Sequence, residues 1–146
     1  MARIDRARLD GGTFPARCEV IPRFSDLDRV DHINNVAIAD LLQEGRFRFG
    51  YDAGLAGGGG AGSADRHVVL AASTVEYAAD LLYGSPITVE TAVTHIGRTS
   101  FQIAQVVRQN GRVAVYAEAA LVVRGSAGSM PIPEDWLAKL RALTLD

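Results

Sequence analysis

Residues 23 to 35 read Arg23-Phe24-Ser25-Asp26-Leu27-Asp28-Arg29-Val30-Asp31-His32-Ile33-Asn34-Asn35, the densest polar stretch of the chain. Directly after it the apolar residues take up helical spacing. That position suggests chemistry on a carbonyl group. The first N–H groups of a helix have no intrahelical acceptor, and with the helix dipole behind them they can hold the oxygen of a polarised carbonyl. A carboxylate a few residues upstream can lie on the other side of the carbonyl carbon. Acyl transfer needs those two parts. The same acids and asparagines can also do no more than cap the helix and form turns, and composition alone leaves both readings open.

The elements that must position these groups are legible as changes of period. From about Asn35 to Gly50, Ile38, Leu41, Leu42 and Phe49 recur at helical spacing, and Asp40, Gln43, Glu44, Arg46 and Arg48 fill the other face. This predicts one amphipathic helix of about four turns, with Asn34 or Asn35 as N-cap. Before it, Ala16 to Phe24 alternates loosely as a strand, Pro22 marking an edge position or the strand's end. After it comes a glycine-rich loop, 54–62, and then period two: strands are expected at 67–78, 86–96, 100–109 and 112–124. Asn110-Gly111 is a hairpin signal, Gly97-Arg98 a second tight turn, and Tyr83 to Pro86 joins the first of these strands to the second, so the expected order is an antiparallel meander. Pro133, Glu134 and Asp135 suit the first turn of a short C-terminal helix within 132–144, and 1–13 is an N-terminal extension. One long helix and about five strands make an α+β domain whose sheet curls over the helix, leaving an edge that pairing in a dimer would manage.

With 146 residues, 48% apolar and 22% charged, and a net charge of -2, the chain is read as a single domain over 1–146. Its basic residues are scattered, so neither a nucleic acid nor a membrane surface is an expected partner. The charged N-terminus does not resemble a signal peptide and no apolar run reaches the roughly 18 residues of a membrane span, which makes the cytoplasm the expected location. Metal is not expected either. Cys18 is the one cysteine, Asp26-x-Asp28 fails the calcium-loop register at Asp31 and Ala37, and His32, His67 and His95 lack ligand spacing, His95 reading as a packed or hydrogen-bonded strand residue. Ser126 sits in Gly-Ser-Ala-Gly, which is no nucleophile elbow, and Cys18 reads as a packed strand residue.

Arg23-Phe24-Ser25-Asp26-Leu27-Asp28, followed by His32-Ile33-Asn34-Asn35 and by Leu42-Gln43-Glu44-Gly45-Arg46, resembles the signature of the hotdog-fold acyl-CoA thioesterases related to 4-hydroxybenzoyl-CoA thioesterase. In that family the pattern runs aromatic-x-Asp-x-Asp-x-x-Gly-His-[Val/Ile]-Asn-Asn ahead of the central helix. Gly97-Arg98-Thr99-Ser100-Phe101 and Pro131-Ile132-Pro133-Glu134 extend the similarity, which runs from about residue 14 to the C-terminal segment. The resemblance implies a curled antiparallel sheet around one central helix and hydrolysis of an acyl or aryl thioester to the free acid and coenzyme A, with no bound cofactor. It implies a homodimer or homotetramer with the site at the subunit interface.

Carried over residue by residue, the resemblance makes Asp28 the catalytic carboxylate, as nucleophile or general base, and the backbone N–H of Asn35 the group that polarises the thioester carbonyl. The Asn34 and Asn35 side chains position water or cap the helix. His32 orients the substrate or the Asp28 carboxylate, or is structural, and Asp26 is a turn-forming side chain. Arg98 with Thr99 and Ser100 offers a charged turn to coenzyme A phosphates, Arg108 and Arg124 being further possibilities. Ile38, Leu42 and Phe49 shape the acyl pocket or are plain core. Glu44 is a pocket carboxylate or an ion-pair partner of Arg48, and the glycine loop is a cover over the acyl channel or a plain loop. Two positions depart from the pattern: Asp31 replaces the usual Gly, in a turn that Asp tolerates but with a third negative charge that would raise the pKa of Asp28 or repel an anionic acyl group, and Ile38 replaces a usual aromatic. The alternatives are a non-catalytic acyl-CoA-binding hotdog protein and a hotdog enoyl-thioester hydratase, whose Gly-Asp-x-Asn-Pro-x-His stretch does not occur here.

Overall fold

A computed structural model of the chain describes residues 3–55 and 66–146. Three consecutive strands, β3 (Ile87–Ile96), β4 (Ser100–Gln109) and β5 (Arg112–Gly125), form an antiparallel ladder. Asn110 (φ 53°) and Gly111 (φ 79°) occupy the two left-handed positions of the β4–β5 hairpin, the geometry whose twist matches paired strands. The strands that flank the helix in sequence go to opposite edges: β1 (Ala16–Val20) pairs with β3, and β2 (His67–Tyr77) pairs with β5. The order is therefore β1-β3-β4-β5-β2, with the two-residue β6 (Gly128–Ser129) against β5. The expected meander holds only for its last three strands. Residues 78–86 do not turn β2 back onto a neighbour but cross the end of the sheet, because placing β1 and β2 at opposite edges lets the sheet curl around the helix between them. Buried Gln109 holds this crossing: its Oε1 accepts from the Leu82 N–H (2.8 Å) and its Nε2 donates to the carbonyls of Leu82 (2.8 Å) and Ser85 (3.1 Å).

The central helix, numbered α2 because a shorter helix precedes it, spans Asn35–Asp52, two residues beyond the expected end. It rests on β1, β3 and β4 through Ala37, Ile38, Leu41, Leu42, Gly45 and Phe49. Gly45 lets it approach the sheet, since a Cβ there would sit 2.5 Å from a Val89 methyl and 2.8 Å from Gln105 Nε2. Chain end α3 (Glu134–Arg141) is shorter than the 132–144 expected, with Pro133 as N-cap rather than in the first turn, and it inserts Trp136 and Leu140 beside Phe49 and Phe101.

Three expectations are corrected locally. Strand β1 ends at Val20; Pro22 has no N–H for a ladder, and Phe24–Asp26 forms a 3-10 turn instead. The N-terminal extension contains a helix, α1 (Arg6–Gly11), whose Leu9, with Ile4, packs on Ala104, Val106 and Tyr116 of the convex sheet face. Its neighbours are tied down by Tyr116, whose hydroxyl donates to Asp10 (2.6 Å), and by Glu76, which accepts from the Ile4 N–H and from Arg6 Nε (both 2.8 Å). His95 is exposed rather than packed, because an irregularity between Val93 and His95 breaks the alternation. Of the glycine loop, Gly54 and Leu55 are described; its remaining residues, 56–62, and with them its reading as a cover, lie outside the described residues.

Candidate active site

The segment from Leu27 to Ile33 is a small hairpin. Leu27 and Ile33 bridge, the Asp28 N–H donates to the His32 carbonyl (2.8 Å), and the Asp31 N–H donates to the Asp28 carbonyl (3.3 Å). Asp28 thus opens a turn whose last position, Asp31, lies in the left-handed region (φ 61°). This is the three-residue hairpin loop in which glycine is the usual occupant of that position. Asp31 keeps the geometry at some backbone cost, which a short polar side chain lowers. One oxygen of Asp28, Oδ1, accepts from the N–H groups of Val30 (2.9 Å) and His32 (3.1 Å). Those two bonds, in that order, hold the carboxyl below its ordinary value. The expected upward push from Asp31 is corrected here: the turn aims backbone dipoles at the carboxylate, and Asp31 is not among the causes of its shift. Asp28 itself is exposed.

Asn34 is the N-cap of α2. Its Oδ1 accepts from the Ala37 N–H (2.8 Å), and its Nδ2 donates to the Asp26 carbonyl (2.8 Å). With the Ile38 N–H bonded to the Asn34 carbonyl, the N–H groups of Asn35 and Val36 have no acceptor among the described residues. Both are first-turn donors at the positive end of an 18-residue helix. Asp26 is buried and takes the turn-forming role expected of it: its Oδ2 accepts from the Arg23 N–H (2.8 Å) and its Oδ1 pairs with the Arg23 guanidinium (3.2 Å). His32 lies 3.4 Å, Nδ1 to Oδ1, from Asp80 of the crossing segment.

The remaining candidates sit elsewhere. Ile38 and Leu42 are buried core beneath α2. Arg98, Thr99 and Ser100 form the β3–β4 turn, anchored by the Ile132 and Val123 N–H groups on the Arg98 and Thr99 carbonyls (both 2.9 Å). That turn is one strand length, about 30 Å, from the Asp28 end, since β3 and β4 are each 10 residues long. Within one chain the two groups are not brought together. Arg108 is held by Glu90 (3.0 Å) and Glu44 by Arg48 (3.2 Å), so those two side chains are committed to ion pairs. Cys18 is half-buried, and burial pushes its thiol up, against thiolate chemistry. Among the described residues no group of three or more His, Cys, Asp and Glu is placed to hold a metal ion, and no helix is long and apolar enough to cross a membrane.

Sequence reasoning missed a cavity of about 350 Å³ between the C-terminal half of α2 and the concave side of β2, β4 and β5. Gln43, Arg46, Phe47 and Gly50 line it from the helix at the helical repeat, and His67, Val68 and Leu70 from the edge strand. The signal was present in the sequence: Gln43, Arg46, Phe47 and Gly50 share the i, i+3, i+4, i+7 spacing of one helix face. Of these, Gln43 and Arg46 fall on the face that the helical period makes polar. The cavity lies at the Arg98 end of the sheet, because β2 begins there with His67 opposite Arg124 and ends at the Asp28 side with Tyr77 opposite Val115.

The thioesterase-like superfamily model matches residues 22–140. No curated protein matches the sequence. Among solved structures, the chain is similar to a thioesterase from Thermus thermophilus complexed with coenzyme A and zinc, at 29% identity and a TM-score of 0.78 over 89% of this chain and 95% of that one. It is also similar to a predicted thioesterase from Bacillus stearothermophilus, at 29% identity and a TM-score of 0.75 over 88% and 95%. A 1,4-dihydroxy-2-naphthoyl-CoA thioesterase from Synechocystis, at 14% identity and a TM-score of 0.76 over 87% and 96%, shares the fold.

Proposed function

The chain belongs to the thioesterase-like superfamily and is a thioester hydrolase of the hotdog fold acting on acyl-CoA, and we propose that Asp28 is its nucleophile. One observation carries this reading: Asp28 is an ionised carboxylate held through one oxygen, on the loop that leads into a helix with two unused N–H donors. The bound oxygen fixes the side chain and leaves Oδ2 for attack. With Oδ1 engaged by two N–H groups, Oδ2 is the oxygen free to reach a carbonyl carbon, and we assign it to attack on carbon rather than to activation of water. Oδ2 adds to the thioester carbonyl carbon while the N–H of Asn35, with that of Val36, takes the developing oxyanion. The carbon–sulfur bond breaks, coenzyme A leaves as the thiolate and takes a proton from water, and a second water adds to the Asp28 carboxyl carbon of the mixed anhydride, releasing the free acid with the oxygen that bridged it and restoring Asp28. Asn34 serves as cap, and His32 borders the site.

The site is proposed to be completed by a second copy of the chain. Edge strand β2 carries exposed Leu70, Ala71, Ala72 and Ser73 and has no partner on its outer side among the described residues. Ile21, Phe24, Val30, Val36, Leu82 and Tyr83 are exposed on and around the Asp28 loop, an apolar surface of the kind that marks an interface. Antiparallel pairing of β2 with its own copy sets His67 of one chain toward Tyr77 of the other. The Arg98 turn and the cavity of one subunit then meet Asp28 of its partner, the turn available to coenzyme A phosphates and Ile38 and Leu42 supporting the helix beneath.

Thiol release from a panel of acyl- and aryl-CoA thioesters tests the activity, and a single turnover in ¹⁸O-water tests the nucleophile. The expected first-turnover acid carries unlabelled oxygen from Asp28, with the label entering the enzyme's carboxylate. Label in Asp28 identifies its carboxylate as the nucleophile; where the label enters only the acid, rapid quench for the acyl–Asp28 anhydride decides, and absence of that anhydride makes Asp28 a general base instead.

A further inference from the structure

The cavity at the far end of α2 carries a charge that the hydrolysis does not use. Its volume, about 350 Å³, is at the small end of ligand pockets and too small for a whole coenzyme A thioester, so an acyl group is the part that fits. Phe47, Phe49, Leu55, Leu70, Phe101 and Leu121 make most of the wall apolar. Into this wall comes Arg46, which is half-buried, with burial pulling its pKa down from the ordinary value. A guanidinium stays protonated all the same.

Arg6, Arg23, Arg48, Arg66 and Arg108 each face a carboxylate. Arg46 is in no ion pair among the described residues. Its one side-chain hydrogen bond runs from Nη1 to Oε1 of Gln105 and is long, at 3.4 Å. Gln105 is fully buried and donates from Nε2 to the Leu42 carbonyl (3.1 Å) and to Thr91 Oγ1 (3.2 Å). It therefore steadies the guanidinium without neutralising it. A cation partly stripped of water, in an apolar wall and without a counter-anion among the described residues, is unfavourable until an anion joins it.

We infer that this cavity is the acyl pocket and that Arg46 selects acyl groups ending in a carboxylate, which the planar fork of a guanidinium matches with two parallel hydrogen bonds. The inference rests on the thioester-hydrolase reading above and names the substrate class of that site. A carboxylate-tipped chain or ring would lie along Phe47 and Leu70 with its acid on Arg46 and its thioester at the open end, toward Asp28 of the partner subunit.

Calorimetric binding of two neutral-headed amides isolates the pocket from turnover. N-methylterephthalamate carries a carboxylate where N-methyl-4-methylbenzamide carries a methyl group, and in both an uncharged amide stands where the thioester would be. Wild type is expected to bind N-methylterephthalamate about tenfold or more tightly, the usual scale for a hydrogen bond to a charged group, and Arg46→Met is expected to bring the two affinities together. Gly50→Leu provides a second variant, because the position lines the cavity and a Cβ there meets nothing within 4 Å among the described residues; with its fold checked by circular dichroism, it should abolish binding of both amides. Equal affinities in wild type, no binding of either amide, a preference that survives Arg46→Met, or one that survives a folded Gly50→Leu overturns the inference. Thiol release from the matching 4-carboxybenzoyl and 4-methylbenzoyl thioesters separates the two claims. Release of both at equal kcat/KM overturns the pocket assignment and leaves the hydrolase standing; selective binding with no release from any thioester overturns the hydrolase and supports the pocket.

Discussion

Asp28 is exposed yet its carboxyl is held below the ordinary value, first by two backbone N–H groups and, to a smaller extent, by the nearby His32. The sign of the pH effect follows. A carboxylate lowered in the folded state is fully charged above the ordinary value and loses both its charge and its contribution to stability only as pH falls through the lowered value. A carboxyl ¹³C titration of Asp28 should therefore have its midpoint below the ordinary 3.8, and a midpoint above it would contradict the geometry. Much at this scale was legible beforehand. The resemblance carried by Asp-x-Asp and His-Ile-Asn-Asn pointed to Asp28, Asp26 and the start of the helix, and the known tolerance of Asp for the left-handed region accounted for Asp31 in advance. The capping role of Asn34 was not separable from that of Asn35, since the two readings differ by one residue of helix boundary. The depth of Arg46 was not legible, because helical periodicity reports which face is polar, not how deeply that face is buried.

The helix and the four longer strands lie close to where the change of period placed them, because each repeats its pattern over ten or more residues. Pairing was not legible: alternation says that a segment is a strand but not which strand lies beside it, so the crossing at 78–86 was misread as a turn between neighbours. The short α1 was missed for a related reason, since six residues give no periodicity and such a helix exists through its packing on the sheet. Gly45 ties these elements to the site. It sets the close approach of α2 to β3 and β4, and hence the position of both helix ends. Gly45→Ala places a methyl group against Val89 and Gln105, and urea denaturation should show a loss of about 1–3 kcal/mol, the range for an overpacked core. An unchanged midpoint would mean that the helix has room to lift.

Across the whole molecule, the groups that the proposal assigns to a single acyl-CoA lie at opposite ends of the sheet, the Asp28 loop at one and the cavity and Arg98 turn at the other. The resemblance implied a dimer, but no residue-level pattern in one chain could indicate how far apart its parts lie; that distance is set by strand length and sheet order. Subunit complementation examines the consequence. Asp28→Asn and Gly50→Leu should each be inactive alone. Co-refolded, they form hybrid dimers in which one of the two sites is intact, so activity should return to about a quarter of wild type for random two-fold pairing. Two variants that stay inactive after subunit exchange would place both halves of the site in one chain.

The central claim is that Asp28 carries the chemistry, and the most direct measurement is thiol release by wild type and Asp28→Asn, alongside the affinity of each for the same acyl-CoA. Asparagine keeps the shape of the side chain and removes the carboxylate. The expected result is a fall in kcat by two or more orders of magnitude, about 3 kcal/mol in the barrier, with acyl-CoA affinity held within a few-fold. An Asp28→Asn protein that releases thiol at the wild-type rate would show that another group attacks the thioester.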